Sequence, residues 1–232
     1  MFGTGAGASR LITGNHPLLT ALEEELATLK RTEGAIVFGS GYLTNLGVIP
    51  ALMGAGDLIL IDELAHACLM SGTRLSGADE IRFPHNDLAF VARALADKRD
   101  QYDHVMIITD GVFSMDGDSP DLETLTQLCT NYHAHLVIDA AHAIGVFGDY
   151  GKGLIQKLGL ERQIFARLVT FGKALGAHGA AILGSNQLKS YLVNFSRSFI
   201  YTTALPPHSL ATINAAYIEL IQTPAIEKLH EN

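Results

Sequence analysis

The sequence predicts an α/β fold built on a mainly parallel sheet. First, short apolar runs recur at residues 35–38, 58–61, 105–109, 136–139, 168–170 and 180–183. They are continuous rather than alternating, as strands covered on both faces read. Second, amphipathic stretches at 17–30, 43–53, 88–97 and 122–133 lie between the runs, with a further one at 210–221. Strands alternating with helices indicate βαβ units and a parallel sheet. Third, polar, glycine-rich and ionisable residues gather directly after the runs, where open α/β sheets bind their ligands.

Taken along the chain, each junction carries a candidate. Gly39-Ser-Gly-Tyr42 joins the first run to a helix, and glycines at such a turn let backbone N–H groups approach a phosphate. An ordinary βα turn has the same composition. Asp62-Glu-Leu-Ala-His66 follows the second run; His66 could stack on a flat cofactor or simply cap a helix. The Asp110 to Gly117 segment is rich in turn residues, and Ser114 could hydrogen-bond a ring substituent. Asp139-Ala-Ala-His142 follows the fourth run. A carboxylate there could hold a pyridinium nitrogen in its protonated form, and His142 could bond a ring hydroxyl or orient Asp139. The alternatives are a structural strand-end Asp, or a metal pair completed by His133 and His135, whose spacing fits no standard zinc motif. Thr170-Phe-Gly-Lys-Ala-Leu-Gly176 places a lysine between small residues after the fifth run. A partly desolvated lysine is a nucleophile toward carbonyls, and the Thr170 hydroxyl could meet a phosphate. A solvated loop lysine is the plainer reading. Gly3-Thr-Gly-Ala-Gly7 matches neither the dinucleotide-binding nor the Walker pattern.

The 232 residues suffice for one sizeable core, and 48% hydrophobic with 17% charged residues is a globular composition. A formal charge of -8 without a basic run argues against nucleic-acid partners and against acidic membranes. Two cysteines make no disulfide framework and suit a cytoplasmic protein. No apolar run approaches the roughly 18 residues of a membrane span, and the amino-terminal Met-Phe-Gly-Thr-Gly-Ala-Gly has no secretion-signal pattern.

Read together, seven segments resemble one family. They are Gly7-Ala-Ser-Arg-Leu-Ile-Thr-Gly14, Ser40-Gly-Tyr-Leu-Thr-Asn-Leu-Gly47, Asp62-Glu-Leu-Ala-His-Ala67, Gly111-Val-Phe-Ser-Met-Asp-Gly-Asp118, Asp139-Ala-Ala-His142, Thr170-Phe-Gly-Lys173 and Tyr201-Thr-Thr-Ala-Leu-Pro-Pro207. In this order they span the chain, and they resemble the α-oxoamine synthases, a branch of the fold-type-I pyridoxal 5'-phosphate (PLP) enzymes. The resemblance implies the PLP-binding large domain of that fold, a mostly parallel seven-stranded sheet between helices. It implies a decarboxylative condensation of an amino acid with an acyl-CoA thioester. It also implies roles at matching positions. Lys173 would carry PLP as a Schiff base and shuttle the α-proton; His66 would stack on the ring and Asp139 would pair with its nitrogen. His142 and Ser114 would lie near the ring oxygen. Backbone groups of Gly41 and Tyr42, with the Thr170 hydroxyl, would hold the phosphate. Thr203, in preference to Thr202, would reach the same phosphate from a neighbouring subunit, so a homodimer with shared sites is implied.

Departures from the family pattern accompany these matches. Leu19 stands where a histidine is usual, and Ala140 where an acidic residue is common. Residues 1–232 are expected to be the large domain, incomplete at both ends, with most of the small domain and its carboxylate-binding arginine absent and turnover weak or lost. A transaminase or lyase of the same fold, an acetyl-transferring member that uses glycine, and a non-catalytic partner subunit are the competing expectations.

Overall fold

The structure is a computed structural model that describes residues 3–223 and 225–231. Met1 and Phe2 of the stretch read for a secretion signal, Pro224 of the Thr223-Pro-Ala-Ile-Glu227 segment, and Asn232 lie outside the described residues.

After a one-turn π-helix at Arg10–Gly14, helix α1 (Pro17–Leu29) starts at a proline, with the His16 ring accepting the Leu18 N–H; that N–H has no carbonyl partner within the helix. There follow β1 (Gly34–Phe38), α2 (Gly41–Leu52), β2 (Leu58–Asp62), α3 (Ala67–Ser76), β3 (Asp79–Phe83) and α4 (Leu88–Lys98). Then come β4 (Val105–Asp110), α5 (Leu122–Tyr132), β5 (His135–Asp139), α6 (Leu154–Lys157), β6 (Ala166–Thr170) and β7 (Ala180–Gly184). Helices α7 (Asn186–Phe195), α8 (Arg197–Ile200), α9 (Pro207–Gln222) and α10 (Ala225–Glu231) complete the described chain.

The seven strands form one sheet in the order β1-β7-β6-β5-β4-β2-β3. All neighbours pair in parallel except β7, which runs antiparallel to both β1 and β6. Alternate residues of a strand face opposite sides, and here both sides are covered. Leu58, Leu60, Val105, Ile107, Leu136 and Ile138 pack with Leu19, Leu22 and Leu26 of α1 and Leu122 and Leu125 of α5. Ile59, Ile61, Met106, Ile108 and Val137 pack on the other side with Val48, Ile49 and Leu69 of α2 and α3. Each such side chain contributes roughly 1.5–3 kcal/mol on burial. Two covered faces explain why the strands read as unbroken apolar runs.

All six expected strands are present, each extended by one or two residues. The seventh, β3, was not legible from its own residues. It is Asp-Glu-Ile-Arg-Phe, pairs only with β2 at the sheet edge, and buries only Phe83. Helix α3 also escaped the periodicity. Its Gly72 lies so close to α2 that a Cβ there would stand 2.6 Å from the Asn45 carbonyl oxygen, so small residues replace the apolar stripe. No helix among the described residues is long and apolar enough to cross a membrane.

Candidate active site

The carboxyl ends of the parallel strands meet along one edge of the sheet. Because β7 is reversed, its amino end arrives at that edge too, with Ala180 in register with both Thr170 and Phe38. A cleft of about 300 Å³ opens there, bounded by Ser40, Gly41, Tyr42, His66, Cys68, Asp110, Asp139, Ala141, His142, Thr170, Gly172, Lys173, His178 and Gly179. Seven of the residues singled out from the sequence therefore come together: Gly41, Tyr42, His66, Asp139, His142, Thr170 and Lys173.

One wall is the start of α2. Ser40 caps the helix by accepting the Leu43 N–H at 3.3 Å. The helix start concentrates unpaired N–H groups and positive potential there. A Cβ on Gly41 would stand 2.7 Å from the Thr170 Cγ2, so glycine leaves the approach to those N–H groups open. The Thr170 hydroxyl is buried with no hydrogen-bond partner among the described residues, a costly state for a polar group unless a ligand completes it.

The floor is Asp139, buried at the end of β5. Its Oδ1 accepts the Ala141 N–H and its Oδ2 accepts the Asn45 side-chain amide, both at 3.0 Å. Burial raises its pKa; the two hydrogen bonds and the charges of His66 and Lys173 oppose that rise without cancelling it. Asp110 is its register partner on β4. Burial, followed by repulsion from Asp139, pushes Asp110 up to about 7, although the His66 N–H bonds it at 2.9 Å. Two buried carboxyls in register do not ionise independently. Burial lowers the pKa of His142, and the positive charges of Lys173 and His66 lower it further.

His66 is both a helix cap and a residue of the cleft wall. It is the N-cap of α3, its ring accepting the Cys68 N–H at 3.2 Å, and it also lines the cleft. Lys173 departs from the expectation of a desolvated amine. It stands exposed in an open turn between exposed Gly172 and Ala174, because β6 ends at the sheet edge where none of the described residues covers it.

Ser114 does not join the cleft; it sits exposed on the loop after β4. That loop is stapled from behind by His85, whose ring bonds Asp62 at 3.0 Å and Asp118 at 2.9 Å. Burial disfavours the charged imidazole, but the two carboxylates outweigh it and raise the His85 pKa. Thr203 is not in its own chain's cleft either. It pairs with Ser9 in an isolated bridge and lines a small hollow with Arg10, Phe38 and Thr202. The metal alternative does not assemble: His135 begins β5 and Asp139 ends it, about 13 Å apart at 3.3 Å per residue. His135 packs on Phe165 instead.

Sequence reasoning missed Asn45, Cys68 and His178. His178 precedes a reversed strand, so a rule about carboxyl ends cannot find it. Asn45 lies inside a helix with no periodic signal for the cleft. Asp110 carried the same strand-end signal as Asp139 but received no separate role.

Comparison with known proteins follows this geometry. The model of the aminotransferase class I and II family matches residues 4–229. The chain belongs to that family. Within it, the chain is 50% identical over 230 residues to an 8-amino-7-oxononanoate synthase from Granulibacter bethesdensis, covering 97% of this chain and 58% of that protein. It is 49% identical to the protein of the same name from Methylocella silvestris, covering 96% and 63%. The chain thus spans about three fifths of the length of these curated relatives. Among solved structures, a serine palmitoyltransferase from S. paucimobilis with a bound PLP–myriocin aldimine superposes with a TM-score of 0.94 at 30% identity, over 99% of this chain and 58% of that one. An 8-amino-7-oxononanoate synthase from Francisella tularensis superposes with a TM-score of 0.82 at 29% identity, over 97% and 62%. The motif-based resemblance to the α-oxoamine synthases is borne out. So is the fold: a fold-type-I large-domain sheet in an aminotransferase class I and II chain.

Proposed function

We propose that this chain is the PLP-binding part of an acyltransferase that condenses an amino acid with an acyl-CoA thioester, of the 8-amino-7-oxononanoate synthase type that serves biotin biosynthesis. The observation that carries the proposal is convergence. Lys173, the buried carboxyl of Asp139, the unpartnered Thr170 hydroxyl and the start of α2 bound one cleft, in a chain half identical to such synthases.

The residues fit the cofactor. The phosphate would be held by the Gly41 and Tyr42 N–H groups and the Thr170 hydroxyl, with Thr203 of a second copy completing it in a homodimer. Asp139, aimed by the Asn45 amide and the Ala141 N–H, would hold a proton at the ring nitrogen. His66 would cover the ring face, with His142 near the ring oxygen. Lys173 Nζ would be the covalent attachment point and the base that moves the substrate α-proton. When bound, PLP supplies an electron sink for a carbanion, and the cleft holds the two substrates in register. We further read residues 1–232 as the large domain of a cytoplasmic enzyme.

The test is a visible spectrum of the purified chain with added PLP, before and after borohydride reduction. The expected result is a visible band that reduction fixes to the peptide carrying Lys173, and that Lys173→Ala abolishes. A band that survives in Lys173→Ala, or no PLP binding by wild type, would overturn the assignment. Asp139→Asn is expected to keep PLP but to lose the spectral change that amino acid plus acyl-CoA produces.

A further inference from the structure

Along the floor and wall of the cleft runs a chain of hydrogen bonds that ends on His66. Asn45 Nδ2 lies 3.0 Å from Asp139 Oδ2 and 3.1 Å from Cys68 Sγ. Cys68 Sγ lies 2.8 Å from His66 Nδ1, and the Cys68 backbone N–H donates to the same Nδ1 at 3.2 Å. Asn45 and Cys68 are both buried, at 1% and 2% exposure.

The direction of every bond in this chain is fixed by what each atom can do. A backbone N–H only donates, so His66 Nδ1 presents a lone pair. The thiol facing that lone pair must then donate its S–H to it, which leaves sulfur free to accept. Asn45 supplies the donor. One amide hydrogen goes to the Asp139 carboxylate and the other to sulfur, and turning the amide over would set its oxygen against the carboxylate. The Asn45 Oδ1 is buried without a partner among the described residues, which marks an orientation imposed by Asp139 rather than chosen by the oxygen. Burial raises the thiol pKa to about 12, so Cys68 keeps the proton it donates.

We propose that Cys68 and Asn45 are positioning residues that select, for the neutral ring of His66, the tautomer with its proton on Nε2. The thiol and the amide are a polar relay from Asp139: the carboxylate orients Asn45, Asn45 orients the thiol, and the thiol with the cap amide holds the ring. The edge of His66 left to the cleft is the Nε2–H. The inference rests on the reading of this cleft as the cofactor site, since it refines how His66 is presented there. Neither residue has to touch a ligand.

The experiment is a long-range proton–nitrogen correlation spectrum of the chain labelled with ¹⁵N-histidine and free of added PLP, recorded above the imidazole titration range, with His66→Gln to assign the signal. Wild type is expected to show the proton on Nε2. Cys68→Ser, which keeps a donor and an acceptor, should keep that form. Cys68→Ala should lower the ratio of the Nε2–H to the Nδ1–H form by roughly threefold to tenfold, the worth of one hydrogen bond. Asn45→Asp, which sets a carboxylate against the thiol, should lower it further. A wild-type proton on Nδ1, or a Cys68→Ala ratio equal to wild type, overturns the proposal. Because no cofactor is present, the outcome stands apart from the borohydride test. Failure of that test with the Nε2–H form in place would leave the relay standing without its ligand.

Discussion

Lys30 ends the first helix with its ammonium inside the protein, 1% exposed. Its Nζ donates to the Lys152 carbonyl at 3.0 Å, and Arg167 donates to the Lys30 carbonyl. Burial, then the nearby charges of Arg167 and Lys152, lowers its pKa from 10.5 to about 7. Between those two values the unfolded chain binds a proton that the folded chain does not, so stability rises with pH across that window. Below pH 7 the full cost of burying the charge is present. Lys30→Met is therefore expected to compare best with wild type near pH 6, the difference between the two changing by on the order of 4 kcal/mol between there and pH 10. Denaturant melts of both proteins across that range check it; a constant difference would mean that the amine titrates as it does in water. Glu23 is buried as deeply but differs in kind, because Arg10, Lys189 and the Val37 N–H all meet its carboxylate.

At the level of elements, the turn from β1 into α2 is the part of the site most sensitive to a single methyl. Gly41→Ala brings a Cβ to 2.7 Å from the Thr170 Cγ2. The expected result is PLP binding weakened by roughly tenfold, ~1.4 kcal/mol, with little change in melting temperature, read by fluorescence titration. Unchanged affinity would place the phosphate elsewhere. The same elements account for what could be read from the sequence. Interior strands were legible because both their faces are apolar, and the residues after them were legible because strand ends must deliver the chemistry. β3 was illegible because an edge strand with one buried side chain has the composition of a loop. Cys68 was illegible because its contribution depends on α2 lying close enough for Asn45 to reach it, and that closeness is set by Gly72, a residue with no periodic signal. Ser114 was given a place in the cleft from motif order alone, and motif order does not say which way a loop faces.

For the molecule as a whole, the assignment of Thr203 to a second copy makes a test that no single chain can pass. A dimer mixed from Lys173→Ala and Thr203→Val chains contains one site with both lesions and one with neither. If Thr203 serves the neighbouring site, the mixed dimer should recover half of the wild-type PLP adduct at full affinity, whereas the Thr203→Val homodimer binds weakly at every site. Weak binding that persists in the mixture would return Thr203 to its own chain. Sedimentation of the wild-type protein gives the matching expectation of a dimer.

The reversed strand β7 governs the order in which this architecture can assemble. β6 and β7 are adjacent both in sequence and in the sheet, joined only by residues 171–179, and that connection is already tied by Phe171 N–H to the Gly179 carbonyl at 3.0 Å and Ala177 N–H to the Phe171 carbonyl at 2.8 Å. Every other neighbouring pair must wait for a crossover or for a strand from a distant part of the chain. Local hairpins close in about 1–10 μs, while non-local parallel pairing is slow. The segment bearing Lys173 is thus expected to take shape as a hairpin early in folding, before the wall and floor of its cleft exist. Pulse-labelled hydrogen exchange should find the amides of 168–171 and 180–183 protected ahead of those in β2 and β4. The lysine would then be the fixed point around which the rest of the site is built.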